Sequence, residues 1–348
     1  MVHYNRTKPP RYGHMTNIRE FLSFSQKEMA KALGMSQAQY SLLERGLVPP
    51  STSILEKLKS LGFLESFFST PLLQGHDFHR SLYKLRVKVA EQINAQTTQC
   101  GKHILQIREL EPTAGQSKLP SFDNATTPQE AAKEIRKFFN IPTGPIPNLM
   151  KKVEETGLII VPMNFKTTDT DAQTVFFDQS FKIIFINNKK GEGDRLRFSL
   201  AHELYHVLFH GPDTISTKEI EGDANAFGAE LLLPEEEIKD ELAQGLTLGA
   251  LAELKKKWGV SIASLAYRAK TLQVYKEEEI QRFYMMLSRM GYRKQEPVHI
   301  PREEPSLMRT LLANISNKKG GLNGLADYFS ISVDVLKQIY PPEVLPGG

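Results

Sequence analysis

The chain has 348 residues, 40% hydrophobic and 24% charged, so it is long enough for two or three domains and too apolar to be disordered throughout. Its single cysteine, Cys100, excludes an intrachain disulfide and a cysteine-based zinc finger, as is usual in a reducing cytoplasm. We expect a cytoplasmic protein without a membrane span, because no apolar run approaches the roughly 18–20 residues that a spanning helix needs and the N-terminus lacks the apolar core of a signal peptide.

The net charge of +4 comes entirely from the first part of the chain. Residues 1–66 contain nine Lys or Arg and five Asp or Glu, whereas the remaining 35 residues of each sign cancel. An excess of positive charge in one segment favours a polyanion partner such as nucleic acid. A small imbalance is also common on solvated surfaces, so charge alone does not decide the partner.

Residues 1–15 are predicted to be a flexible basic arm, because they contain two adjacent prolines and no apolar periodicity. Residues 16–66 are predicted to be an all-α helix-turn-helix domain. Ser25 can cap a first helix, Gly34 can supply the turn, and Ser36 can cap a second helix. Several apolar residues have the spacing of a shared core: Met29, Ala30, Leu33, Met35, Tyr40 and Leu43.

The second helix of this unit is the predicted DNA-reading element. Three of its side chains can project outward and a fourth can lie near the phosphates: Gln37, Gln39, Ser41 and Arg45. A small helical bundle used for dimerisation or protein docking is the alternative interpretation. The stretch SQKEMAKALGMSQAQYSLLERG, residues 25–46, resembles the Cro/C1-type (Xre) helix-turn-helix family. That resemblance implies DNA contacts from Gln26, Ser36, Gln37, Ala38 and Ser41, and Leu42 departs from it where polar or basic residues are common.

Residues 67–124 are predicted to be a helical linker, with an amphipathic helix over residues 76–110 followed by a polar run. An α+β domain follows over residues 125–275. Two helices open it, and three short apolar runs rich in β-branched and aromatic residues predict a small sheet: residues 157–163, 174–179 and 181–188. Residues 276–348 are predicted to be a helical C-terminal region without an assigned role. The predicted fold is therefore multidomain and mainly α, with one small sheet.

A candidate metal site lies on the helix predicted over residues 194–210. His202 and His206 are four residues apart, which places both imidazoles on one helical face within reach of a single ion, and Glu203 lies beside them. The opposite face is apolar and can be buried. A pair of histidines on a helix is often only surface, but the amphipathic context and the acidic helix that follows favour a metal site.

A catalytic zinc needs three protein ligands and one open position, so a third ligand must be found, and the next helix, over residues 219–232, can supply it. Glu221 is the candidate, and Asn225, one turn later, can orient a ligand from behind. Glu219 is the strongest competitor, and Asp213 and Asp223 also stay open. Two further candidates are excluded: His210 lies too far along a straight helix, and a metzincin histidine would fall at Pro212.

Residues 128–275 resemble the ImmA/IrrE family of metallopeptidases through the motifs RFSLAHELYHVLFH, residues 197–210, and EGDANAFGAELLLP, residues 221–234. The resemblance implies a gluzincin-like site that binds one divalent metal, Zn²⁺ or alternatively Mn²⁺, through His202, His206 and Glu221. It also implies that Glu203 is the general base and that the source is bacterial or phage-encoded. Tyr205 stands where glycine is common in the family.

Two functional hypotheses follow from these patterns. In the first, a DNA-binding metallopeptidase, expected to be a homodimer, cleaves an Xre-type repressor in trans or cleaves itself, and the strand over residues 181–188 pairs with the extended substrate. In the second, a DNA-binding repressor or antitoxin uses a peptidase-like domain as a sensor or platform for a toxin or antitoxin partner. The intact Glu203 favours the first hypothesis.

Overall fold

The computed structural model describes residues 12–70, 73, 76–77, 87–123, 126–165, 171–178, 180–188, 193–292 and 296–347. Four helices form the N-terminal unit: α1 (Tyr12–Phe21), α2 (Gln26–Ala32), α3 (Gln37–Glu44) and α4 (Thr52–Ser60), followed by a 3-10 turn at Glu65–Ser69. Helix α1 begins before residue 16 because Met15 is completely buried in the core, so residues 12–15 belong to the folded unit and not to an arm. The rest of the predicted arm, residues 1–11, lies outside the described residues.

The helix-turn-helix arises from local signals that the structure makes explicit. The hydroxyls of Ser25 and Ser36 each accept a hydrogen bond from the backbone N–H of the third residue of the helix that follows. The side chains of Glu28 and Gln39 in turn accept a hydrogen bond from the backbone N–H of the cap residue. Gly34 has a φ of +64°, which glycine adopts without the penalty that a Cβ brings. These caps fix the ends of α2 and α3 and therefore the turn between them.

One sheet stands at the centre of the described structure. Its strands are β1 (His76–Asp77), β2 (Ile160–Met163), β3 (Ala172–Phe176) and β4 (Lys182–Asn187), in the order β1-β3-β4-β2. Strand β4 pairs in parallel with β2 and antiparallel with β3. The prediction that β4 pairs with a substrate is therefore wrong, because both edges of β4 are already paired with neighbouring strands.

The remaining helices complete a mainly α fold, as predicted. They are α5 (Val87–Leu110), α6 (Pro128–Phe138), α7 (Leu149–Glu155), α8 (Gly193–Phe209), α9 (Lys218–Leu232), α10 (Glu235–Leu242), α11 (Leu248–Trp258), α12 (Ile262–Thr271), α13 (Glu277–Arg289), α14 (Leu307–Lys319), α15 (Leu322–Tyr328) and α16 (Val333–Ile339), with a 3-10 turn at Pro342–Val344. No helix in the described ranges is long and apolar enough to cross a membrane.

The sheet separates two hydrophobic cores. The first core joins the N-terminal helices, α5, the C-terminal helices and one face of the sheet, including Val161, Val175 and Phe185. The second core joins the other face, including Ile160 and Ile184, to helices α6 to α13. Alternate residues of β2 and β4 enter different cores, as the two-residue period of a strand requires.

Helix α5 is a central element of the first core, which corrects its interpretation as a linker. Ile93, Cys100, Ile104 and Ile107 are all buried, and Gln96 hydrogen-bonds to the C-terminal region. The predicted start at residue 76 is also wrong, because His76–Asp77 pairs with β3 as a strand. Periodicity identified the helix, but it could not show that both sides of it would be covered.

The C-terminal region covers the N-terminal unit. The N–H of Leu64 donates to the carbonyl of Ser330 at 3.0 Å, and the N–H of Ser332 donates to the carbonyl of Gly62 at 2.8 Å. A bridge between Phe63 and Ile331 connects the two segments. The region that had no assigned role therefore holds the helix-turn-helix unit against α5.

A buried polar cluster lies where α1 meets α5. Nζ of Lys102 is 3.3 Å from Nδ1 of His14 and 4.9 Å from the ring centroid of Phe67, and Nδ1 of His103 is 3.0 Å from the hydroxyl of Tyr340. Burial lowers the pKa of Lys102 to about 7, and burial followed by the nearby Lys102 charge lowers the pKa of both histidines to about 3. No carboxylate in the described ranges forms a salt bridge with Lys102.

We expect Lys102→Met to raise the stability of the full chain, because methionine fills the same volume without a charge that the core must bury. The gain should be largest at pH 7 and below, where the folded lysine is still charged. The gain should shrink as the pH rises from 7 towards 10.5, since Lys102 stays protonated only in the unfolded chain in that range. Urea unfolding at a series of pH values measures the gain, and exposed Lys59→Met is the matched control. A gain that grows with pH would show that the buried charge of Lys102 does not limit stability.

Candidate metal centre and DNA-binding surface

Helix α8 presents His202 and His206 to the same point. Its leucines on the opposite face, Leu200 and Leu204, are completely buried in the second core, which fixes the rotation of the helix. The two Nε2 atoms lie 3.1 Å apart. His206 is buried and His202 is partly exposed, so the pair lies at the border between the core and a cleft.

The start of α8 is held in place by residues 296–306. The N–H of Gly193 donates to the carbonyl of Ile300 at 3.1 Å, and a Cβ at position 193 would lie 2.2 Å from the carbonyl oxygen of Pro301. Arg197 pairs with Glu303, which also accepts a hydrogen bond from the backbone N–H of Met150. Only glycine fits at position 193, and this contact anchors the helix that carries the histidines.

Helix α9 brings a carboxylate to the histidine pair. Oε2 of Glu221 lies 3.3 Å from Nε2 of His202, and Oε1 lies 4.0 Å from Nε2 of His206. The hydroxyl of Ser216 donates to Oε1 of Glu221 at 2.6 Å. A single set of His and carboxylate donors in the described ranges converges in this way, and it consists of His202, His206 and Glu221.

These three donors fit a divalent ion. Zinc bonds of about 2.0–2.1 Å in tetrahedral geometry place neighbouring ligand atoms about 3.3 Å apart. Here the two imidazole nitrogens are 3.1 Å apart, one Glu221 oxygen lies 3.3 Å from His202 and the other lies 4.0 Å from His206. Two histidine nitrogens and one carboxylate leave a fourth coordination position for water or substrate, as catalytic zinc sites do. The donor set therefore suits a catalytic ion better than a purely structural one.

The outer nitrogens of both histidines have partners that set their orientation. Nδ1 of His202 is 3.0 Å from Oδ1 of Asn225, the position predicted to orient a ligand. Nδ1 of His206 is 3.1 Å from Nδ1 of His210. Burial lowers the pKa of His210 to about 4, against an opposing effect of Glu221 and with a smaller lowering by Lys182. His210 is therefore neutral at pH 7, and its Nδ1 can accept a hydrogen bond from the Nδ1–H of His206.

Glu203 contacts the sheet. The hydroxyl of Thr174, in β3, donates to Oε2 of Glu203 at 2.6 Å, and Glu203 is almost completely buried. Sequence reasoning missed Thr174 and Ser216, and it considered His210 only as a metal ligand, which it excluded. The four-residue spacing of His210 to His206 also allows a contact with the outer nitrogen of His206, whereas nothing local links Thr174 to residue 203.

The competing ligands lie elsewhere. Glu219 and Asp213 are exposed, and neither belongs to the converging set. Asp223 hydrogen-bonds to Tyr205. Burial, and to a smaller extent Asp223, raises the pKa of the Tyr205 phenol to about 12. The Tyr205 ring stacks on Phe209 at 4.6 Å between centroids, so the bulky residue packs beside the ligands without displacing them.

The helix-turn-helix unit presents the face predicted to contact DNA. Ser36, Gln37, Ala38, Gln39 and Arg45 are exposed, and Ser41 and Gln26 are partly exposed. Two of these side chains are also tied to the unit itself. Nε2 of Gln26 donates to Glu44 at 2.7 Å, and Oε1 of Gln39 accepts from the N–H of Ser36 at 2.9 Å.

Glu44 organises this face from inside. It accepts a 2.6 Å bond from Nε of Arg19 and lies 3.3 Å from the hydroxyl of Tyr40. The carboxylate thereby ties α1, α2 and α3 together and holds Gln26 in a defined position. Leu42, the residue that departs from the family pattern, is 40% exposed on the same helix.

A structure with two histidines, a carboxylate and a neighbouring glutamate on crossed helices is typical of the gluzincin class of metallopeptidases. Two segments of the chain also match known protein families. Residues 153–270 match the family described as "IrrE N-terminal-like domain", within the M78 peptidases, and residues 17–59 match the family described as "Helix-turn-helix". The chain therefore carries one segment that matches a helix-turn-helix family and a second segment that matches an IrrE-like peptidase family.

Two curated relatives carry the name radiation response metalloprotease IrrE. The protein of Deinococcus deserti is 38% identical over an alignment of 104 residues, and the match covers 26% of this chain and 37% of that protein. The protein of Deinococcus radiodurans is 35% identical over an alignment of 104 residues, and the match covers 26% of this chain and 31% of that protein. The matched part of the chain thus spans about a third of the length of these relatives.

We expect Glu221→Ala to abolish tight binding of one equivalent of Zn²⁺, because two histidines alone leave the ion with too few protein ligands. Asn225→Ala should weaken binding by about 10–100-fold, since it releases only the outer nitrogen of His202. Competition with a chromophoric chelator measures both effects. Glu219→Ala is the matched control on the same helix turn, and loss of the ion from that variant would overturn the assignment.

Proposed function

We propose that the protein is a DNA-binding regulator whose peptidase domain is a metal-dependent endopeptidase. The observation that carries the proposal is the convergence of His202, His206 and Glu221, with Glu203 one residue after the first ligand. Membership of residues 153–270 in a metalloprotease family supports the same chemistry. Zn²⁺ is the proposed ion, with Mn²⁺ as the alternative.

The proposed roles follow from the atoms of this chain. A bound divalent ion would supply Lewis acidity towards the scissile carbonyl. Glu203 is the general base: its carboxylate takes a proton from the attacking water and returns it to the leaving amine. The hydroxyl of Thr174 holds one oxygen of that carboxylate at 2.6 Å, so the rotamer of the base is fixed before the substrate arrives.

The β1-side edge of β3 is the proposed contact for the substrate backbone. Ala172 to Thr174 lie beside α8, and among the residues that the structure describes, β1 pairs with Val175 and Phe176. An extended peptide can add to such a strand edge through main-chain hydrogen bonds. This position replaces β4, whose edges are occupied, and it places the peptide next to Glu203.

The proposed substrate is an Xre-type repressor, cleaved in trans or within this chain, in a stress, phage or mobile-element response. The resemblance to the ImmA/IrrE family suggests this substrate, and the fused helix-turn-helix supports a role in transcription. The proposed setting is the cytoplasm of a bacterial cell. A toxin or antitoxin partner is the alternative protein ligand.

We expect Glu203→Gln to retain the fold and one equivalent of metal while it lowers peptide hydrolysis by about 10²–10⁴-fold. Glutamine can still accept the Thr174 hydrogen bond but cannot take up a proton. Mass spectrometry of Xre-type repressors incubated with the zinc-loaded full chain measures cleavage. Thr174→Ser, which keeps the hydroxyl, is the matched variant for Thr174→Val, and only the valine variant should lose activity.

The same variant separates the two functional hypotheses. If repression of the target genes is relieved by proteolysis, cells with Glu203→Gln should keep those genes uninduced when the signal is present. Normal induction in those cells would remove the peptidase reaction from regulation. The peptidase domain would then be a sensor or partner-binding platform.

The helix-turn-helix is proposed to bind duplex DNA as a homodimer on half-sites about one helical turn apart. We expect affinity to fall steeply with salt, and Arg45→Ala to reduce the slope of log affinity against log salt by about one, because one phosphate contact is lost. Gln37→Ala should weaken binding to the selected operator more than binding to random DNA. Selection from genomic fragments followed by filter binding tests both, with Lys256→Ala in α11 as the control. Equal affinity of the native chain for operator and random DNA would favour docking instead.

A further inference from the structure

An open cavity of about 390 Å³ lies beside the candidate metal centre. Its floor is formed by the first turns of α8, including Arg195, Phe198 and Ser199, and these residues lie on the same helical stripe as His202. Ser199 precedes His202 by about 4.5 Å along the helix axis. The volume falls within the usual range of about 300–1,000 Å³ for ligand pockets.

The second wall of the cavity continues the proposed substrate strand. Asp171, immediately before β3, lines the cavity, and its Oδ2 lies 2.8 Å from Arg195. Three residues later in the same strand, Thr174 contacts Glu203. A peptide that follows β3 past the metal ligands would therefore direct a side chain into this cavity.

The charges that line the cavity determine which kind of substrate side chain it favours. Asp171 and Arg195 neutralise each other at the rim. Behind them, the buried ammonium of Lys255 lies 2.6 Å from Asp194 and 2.7 Å from Glu296, so two carboxylates share one cation. Among the described residues, the lining with Lys255 therefore carries one net negative charge, which attracts a cation and repels a carboxylate.

A carboxylate ligand is also disfavoured at the helix terminus. The cavity includes the N-terminus of α12, but Glu296 already accepts the N–H groups of Ile262 at 2.8 Å and Ala263 at 3.2 Å. The donors that would bind a substrate anion are thus in use. Phe198 and Tyr292 supply aromatic surface for a long methylene stem or a cation.

We infer that this cavity is a substrate subsite that takes a lysine or arginine side chain of the polypeptide being cleaved. The inference rests on the proposed peptidase function. It identifies a specificity determinant at Ser199, Phe198 and the Lys255–Asp194–Glu296 group, outside the metal ligands and the base.

The first test measures cleavage by the zinc-loaded full chain on a mixed peptide library analysed by mass spectrometry. We expect Lys or Arg to be enriched at one position near the scissile bond. Three variants of one residue then separate charge from size: Ser199→Gln, Ser199→Lys and Ser199→Glu. Relative to the glutamine variant, the lysine variant should lose kcat/KM on an Arg-containing peptide by about tenfold, and the glutamate variant should not.

The second test measures binding without catalysis. Two labelled hexapeptides are titrated into the zinc-loaded Glu203→Gln chain. They differ only by Arg or Gln at the enriched position, or at the third position if the cleavage experiment yields no enriched position. Fluorescence anisotropy should show tighter binding of the Arg peptide, and Ser199→Lys on that background should remove the difference. If the lysine variant fails to fold, the Arg and Gln peptides on the parent chain still decide the preference.

The outcomes separate this inference from the peptidase proposal. Cleavage without any preference for basic residues, or identical selectivity of the lysine and glutamate variants, overturns the subsite and leaves the peptidase standing. No cleavage together with a preference for the Arg peptide overturns the peptidase proposal and leaves a cavity for basic side chains. Absence of both cleavage and preference overturns both.

Discussion

The candidate site depends on the close crossing of α8 and α9. A Cβ added at Gly228 would touch Ala201 and the backbone of His202 at 3.5 Å, so the helices are already at van der Waals contact there. Because of this approach, α9 can supply both the carboxylate of Glu221 and the amide of Asn225 to His202. A bulkier residue at the crossing would move the third donor away from the histidine pair.

The sheet connects this site to the helix-turn-helix unit through adjacent residues. Thr174 faces α8 and holds Glu203, and the next residue, Val175, enters the first core together with α1, α5 and the C-terminal helices. A displacement of β3 by a bound peptide would therefore be transmitted to packing around the N-terminal unit, because packed cores deform little. One strand thus gives a physical route between the proposed peptidase and the proposed DNA-binding surface.

Local signals in the sequence predicted the parts of the protein that depend on neighbouring residues. The caps at Ser25 and Ser36, the turn at Gly34 and the four-residue spacing of His202 and His206 all act within one or two helical turns. The fold class was predicted correctly for the same reason, since hydrophobic periodicity reports the type of element.

Contacts between distant segments could not be predicted in this way. The substrate role of β4 failed because strand order depends on pairing across the chain, and the linker interpretation of α5 failed because its second buried side is covered by residues more than 200 positions away. Thr174 was missed for the same reason, as 29 residues separate it from Glu203. The cavity beside Ser199 likewise depends on α12 and on Glu296, which approach α8 only in the folded chain.

Anomalous diffraction at the zinc edge tests the central claim most directly. Crystals of the full-length chain grown with zinc should show one strong peak about 2.0–2.2 Å from Nε2 of His202, Nε2 of His206 and a carboxylate oxygen of Glu221. Such a peak would establish the ion that the α8–α9 crossing is proposed to hold. A peak coordinated by Glu219 in place of Glu221, or no peak at this cluster in zinc-saturated crystals, would contradict the account.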